Sequence, residues 1–214
     1  MTSRLQRFMC YLRGDELPAP TPCDVHPHTL AGYYNEFDHL EELLQHEPYD
    51  SDASFAARDE TLALAEVVAP VNPTLALRAL KLTASSANLY GNHNNPLCRT
   101  ALQIAERLTP SRPVEAARFA FTSLALSQGY FTNEGKAFEM VCAILPEAAK
   151  ANPQEATDMA CQLPYEVHGL AAQQHVLDVL DVVETRLEAQ PALRSRVHSS
   201  AMHLRQHIGQ PLGM

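Results

Sequence analysis

The residues best suited by type to hold a metal are Cys23, His26 and His28, in the segment TPCDVHPHT, with Asp24, His39 or Cys10 available to complete a set. Zinc takes three or four Cys, His or carboxylate ligands converging tetrahedrally, and its structural sites use pairs such as Cys-x2-Cys or His-x3–5-His. No such pair stands beside these residues. Pro18, Pro20, Pro22 and Pro27 mark the stretch as an extended connector with incidental histidines. His203 and His207 are four residues apart, on one face of a helix, with His198 displaced from them. Two imidazoles so spaced can chelate, but that segment has no acid to finish a site, and Arg194, Arg196 and Arg205 make it a solvated basic face. His168 and His175 flank a helix start and read as surface or core-edge groups. The expectation is therefore no metal and no cofactor.

Acid–base chemistry would need two carboxylates in different environments. Glu41 with Glu42, or Asp178 with Asp181, are the available pairs. All four fall at polar positions of amphipathic helices, where solvation keeps carboxylates ordinary and poor as catalysts. Gly-x-Ser-x-Gly, Gly-x-Gly-x-x-Gly and phosphate-loop patterns do not occur. Cys98, Cys142 and Cys161 lie among apolar helix residues and read as small buried hydrophobes. No catalytic residue is assigned.

Two polar loops offer a contact ridge instead. Tyr90 and His93, in NLYGNHNNP, correspond in position to Tyr130, in QGYFTNEG, one forty-residue interval later. The plainer alternative is that both tyrosines wedge between hairpins with wet hydroxyls. At the start of the chain, Leu5, Phe8, Met9 and Leu12 recur at helical spacing among Arg4, Arg7 and Arg13. Three arginines bind lipid weakly and the net charge of −9 opposes it, so docking on the protein's own acidic helices is the better reading.

That charge is unevenly spread. Residues 14–68 carry 13 acids against Arg58 alone, whereas residues 69–214 balance. An acidic first third disfavours nucleic acid, which needs a basic stripe. It favours a protein partner with a basic surface, with Asp38, Glu41 and Glu42 as the contact candidates. No apolar run reaches the roughly 18–20 residues that span a bilayer, and the first residues lack the apolar core of a secretory signal. Five cysteines without paired spacing suit a reducing compartment. The expected location is cytoplasmic, with export by a route that needs no cleavable signal left open.

Pro73, Pro113 and Pro153 stand forty residues apart. They open NPTLALRALKLTA, RPVEAARFAFTSL and NPQEATDMACQL, in which Ala76, Ala116 and Ala156 correspond, as do Arg78 and Arg118, with Asp158 breaking the pattern. The preceding segments ETLALAEVVAP and TALQIAERLTP overlay at the same offset. Proline suits the first turn of a helix, where its missing N–H has no partner to lose. Helices are expected over 29–46, 53–68, 74–89, 97–108, 114–128, 135–149, 154–163, 169–188 and 192–207. No stretch reads as a strand. Val114 to Gln128 is apolar on two faces, so it must be covered from two sides. Pro164 ends one helix early and Gly169 opens a longer one.

A two-helix unit with a period near forty residues, and a proline followed by Ala and Arg, resembles HEAT or armadillo-type helical repeats over about residues 53–208. The resemblance is one of architecture. It implies an elongated scaffold that works through its surface. The fold expected is all-α, a right-handed stack of antiparallel helix hairpins, with a closed helix bundle as the alternative. Residues 1–28 would be a basic helix and linker, 29–208 the helical domain and 209–214 a tail. The function expected is a non-enzymatic protein-binding scaffold. The alternative is an enzyme or ligand-binding domain whose site gathers His168, His175 or the C-terminal histidines from distant parts of the chain.

Overall fold

A computed structural model describes residues 27–86, 94–126 and 134–209. They form α1 (Pro27–His46), α2 (Asp52–Val68), α3 (Pro73–Ser86), α4 (Asn94–Leu108), α5 (Pro113–Leu126) and α6 (Glu134–Ala151). There follow α7 (Pro153–Gln162), a short 3-10 turn (Leu163–Tyr165), α8 (Leu170–Arg186) and α9 (Pro191–Gly209). The described residues contain no strand.

Three of the helices begin on the prolines that the sequence spaces forty apart. The turns leading into them share a hydrogen-bond pattern. The Asn72 amide donates to the Val68 carbonyl at 2.8 Å, that of Arg112 to Leu108 at 2.7 Å, and that of Asn152 to Ala148 at 2.8 Å. Three residues into each helix, the amides of Ala76, Ala116 and Ala156 donate to the carbonyls of Asn72, Arg112 and Asn152 at 3.1, 2.9 and 3.1 Å. Asn72 and Asn152 also cap their helices, each side-chain oxygen accepting an orphan amide from Leu75 or Glu155. Arg112 has no side-chain acceptor and cannot do so.

A fourth turn of this kind appears where the sequence register is broken. Pro191 opens α9, and the Arg194 amide donates to the Gln190 carbonyl at 3.0 Å, as the alanines do above. Its spacing from Pro153 is two residues short of forty, which hides it from a fixed-period reading. Ala76, Ala116 and Ala156 are fully buried, so neighbouring helices approach closely there. Arg194 occupies the matching place in α9, and half of its side chain is in solvent.

Contacts run along the chain. Each helix packs on the next, and α1 reaches α3, α2 reaches α4, α3 reaches α5, α5 reaches α7, α6 reaches α8 and α7 reaches α9. No pair further apart in sequence makes more than a marginal contact. A closed bundle would bring first and last helices together; these form an all-α stack. In α5, Val114, Ala117 and Leu124 are buried on one side and Phe119 on another, as its two apolar faces require. In α8, Val176, Leu180, Val183 and Leu187 are buried, while Gln174, Asp178, Asp181, Thr185 and Glu188 form the wet line opposite.

Local irregularities follow from particular residues. Gly169, with φ +93°, turns the chain into α8 through a conformation that a side chain would disfavour. Pro164 sits in the 3-10 turn after the ten-residue α7. Pro146 lies inside α6, where its missing N–H deprives the Cys142 carbonyl of a helical partner.

Replacing Ala116 with leucine adds three carbons where no space is left. The expected cost is about 1–3 kcal/mol, read as a lower urea midpoint with the denaturant slope unchanged. Ala53→Leu, at an exposed position, should leave the midpoint where it is.

Candidate functional site

α1 carries Glu36, Asp38, Glu41 and Glu42 and no lysine or arginine. Asp38 and Glu42, one turn apart, are exposed, and Glu41 is half-buried beside them. None of these carboxylates enters an ion pair among the described residues. Arg58, the lone lysine or arginine between residues 14 and 68, is turned inward and is 3% exposed. Its guanidinium donates to the Tyr49 carbonyl and to Ser54 Oγ and lies 4.8 Å from the Phe55 ring. Burial lowers its pKa, opposed by the charge of Asp59. Arg58 therefore fastens the turn between α1 and α2 and leaves the outer carboxylates of α1 unmatched.

Elsewhere in the stack several charges pair between helices. Arg78, Arg118, Asp158 and Arg196 each stand five residues after a helix-opening proline. Arg78 lies 4.6 Å from the Phe37 ring of α1. Arg118 forks onto both oxygens of Glu155, joining α5 to α7, and the Asn152 amide group donates to the same carboxylate at 3.2 Å. Arg196 holds Asp158 at 2.8 Å, joining α9 to α7. The acid that breaks the sequence pattern is thus the complement of the next arginine in line. On the neighbouring helices, Lys136 pairs with Glu106, Arg205 with Asp181, and Arg194 with Glu184.

Between α7 and α9 lies an open depression of about 410 Å³, lined by Cys161, Tyr165, Ser195, Arg196, Ser199, Ser200 and His203. Four hydroxyls, a guanidinium and an imidazole make it a place for acceptor groups such as carboxylates. Cys161 is half-buried on this rim, which corrects the expectation that all three helical cysteines are core groups. Cys98 and Cys142 fit it. Burial pushes the Cys98 thiol up to about 11 and the Cys142 thiol up to about 12. Cys98 and Ser123 also exchange hydrogen bonds between α4 and α5, Ser123 Oγ donating to the Cys98 carbonyl at 3.0 Å.

The histidines do not converge. His198 contacts Glu184 at 3.2 Å, His203 and His207 meet edge-on at 4.8 Å between ring centres, and His175 stands against Phe138. The described residues contain no group of three side chains able to hold a metal ion. They also contain no helix long and apolar enough to cross a membrane. Tyr90, His93 and Tyr130 lie outside the described residues, as do Cys10, Cys23, Asp24, His26 and the segment from Arg4 to Arg13. The α7–α9 depression went unread in the sequence. Its lining comes from two helices some thirty residues apart, and serines on a helix face give no signal of their own. Part of the signal for these ion pairs was present, since of the charged residues five past Pro73, Pro113, Pro153 and Pro191 the one acid, Asp158, is the partner of Arg196.

Comparison with protein-family models, curated proteins and solved structures finds no match for this chain. The class the coordinates define is an all-α stack of consecutively packed helices.

Asp158 is held below the ordinary carboxylate range, first by its hydrogen bond from Arg196. A depressed carboxyl lends stability above its unfolded value and loses it as pH falls through the folded one. The stability difference between wild type and Arg196→Gln should thus be full at neutral pH, begin to shrink as pH falls below about 4, and vanish only below the lowered folded value of Asp158. A carboxyl titration followed by NMR should show Asp158 returning toward its ordinary value in the variant. Iodoacetamide at pH 8 should modify Cys161 well before Cys98 or Cys142, as peptide mapping of the native protein would read.

Proposed function

We propose that the protein is a non-enzymatic binding scaffold of the HEAT or armadillo kind, whose acidic first helix meets a basic surface on a protein partner. The observation that carries the reading is the contrast in charge use. Arg118, Lys136, Arg194, Arg196 and Arg205 pair with acids on other helices, while Asp38, Glu41 and Glu42 on α1 have no ionic partner among the described residues. Of the two arginines nearby, Arg58 serves a backbone carbonyl and Arg78 lies over the Phe37 ring. The recurrence of the same turn at forty-residue intervals supports the repeat reading. The open form of the depression beside α9 is that of a contact face. The alternative of a histidine-based enzyme site draws little support from His175, which stands against Phe138, or His198, which contacts Glu184, and His203 and His207 meet each other with no acid beside them on α9.

Affinity capture from native lysate with wild type and with Asp38→Asn, Glu41→Gln and Glu42→Gln combined tests the acidic contact. At least one protein held by wild type at low salt should be lost by the variant and released from wild type as salt rises. If the variant keeps every partner, the acidic face is not the contact.

A further inference from the structure

The two ends of the stack are chemically complementary. α9 carries Arg194, Arg196, Arg205, His198, His203 and His207 and no acid. α1 carries four acids and no lysine or arginine. Exposed large apolar side chains follow the same division. Tyr34, Tyr49 and Val71 belong to the first two helices and their turns, and Tyr165, Leu170, Val182 and Met202 to the last three helices and the turns between them. Between residues 72 and 164 none of the described residues is of that kind. In an α-helical stack, terminal units stay single when their outer faces are polar. Here the first helix offers apolar groups beside acids, and the last offers arginines that hold Asp181 and Glu184 of α8 with part of each guanidinium side chain still exposed.

We infer that copies of this chain associate head to tail, the outer face of α1 in one copy lying against α9 of the next, with the Asp38 and Glu42 carboxylates received at the α7–α9 depression. This rests on the reading of α1 as a contact face and names a second copy of the chain as its partner. The arginines of α9 already hold Glu184, Asp158 and Asp181, but each side chain remains 39–51% exposed. A guanidinium has five N–H donors and one carboxylate occupies at most two, so further acceptors can be taken. Ser195 and Ser199 present hydroxyls to the same depression. Because the two surfaces differ, the contact does not close on itself as a twofold dimer does. It generates chains whose length rises with protein concentration.

Sedimentation velocity of the full chain over a concentration series tests this. The weight-average coefficient should rise with concentration at low salt, and the rise should shrink at about 1 M salt, where screening acts within about 3 Å. Asp38→Lys with Glu42→Lys should sediment as a monomer, because two basic faces then meet. Ser195→Glu with Ser199→Glu, which removes no ion pair, should do the same, because two acidic faces then meet. Mixing the two variants restores opposite charge at every junction and should restore assembly, so recovery also shows that both are folded. A wild type that is monomeric at all concentrations, variants that still assemble alone, or a mixture that stays monomeric would each overturn the inference. The lysate capture with the neutralised α1 stands apart from these results, since a different basic partner would still be lost there from a protein that never self-associates.

Discussion

A helix that is apolar on two sides cannot be completed by one neighbour. α5 shows this most fully, since Val114 and Leu124 face one way, Phe119 another, and the helix touches α3, α4, α6 and α7. The arrangement that covers such a helix is a line of hairpins, each burying what the one before leaves bare. The turns obey the same constraint. Alanine stands three residues after the prolines of α3, α5 and α7, where a larger side chain would hold neighbouring helices apart. Arg194 takes that place in α9, where no described helix follows.

Charge is subordinate to this packing. Surface ion pairs contribute little one by one, about 0–1 kcal/mol. Two of them are placed alike, with Arg118 and Asp158 each five residues after a helix-opening proline and the partner on the second helix along the stack. The Arg118–Glu155 fork is best placed to add stability, because it is bidentate, Glu155 is mostly buried, and Asn152 holds the same carboxylate. Arg58 works by a different principle. A buried guanidinium is tolerated because it satisfies an exposed turn's carbonyl and lies on an aromatic ring.

Much of this was readable from residues alone, for identifiable reasons. Proline at the first helical position fixes a boundary to within a residue, so Pro73, Pro113 and Pro153 revealed the register and the helix starts together. The wet line of α8 followed from a long, strongly periodic segment. Pro191 escaped because its interval is shorter. Asp158 looked like a defect because a pair made between helices 38 residues apart has no meaning within one segment. Cys161 was read as core from its apolar neighbours, but the open depression beside α9 reaches it. The proposed contacts were legible only in part. The acids of α1 could be counted, whereas the inward turn of Arg58, which leaves them unmatched, required three dimensions.

The absence of substantial contacts beyond the second neighbour also sets how the molecule would bear a load. A closed domain resists a pull on its ends until some long-range contact gives way. In this stack a pull can be shared as a small change of angle at every junction, with burial lost gradually and regained on release. Pro146 interrupts the hydrogen-bond ladder of α6 near the middle of the line and makes that helix the softest to bend.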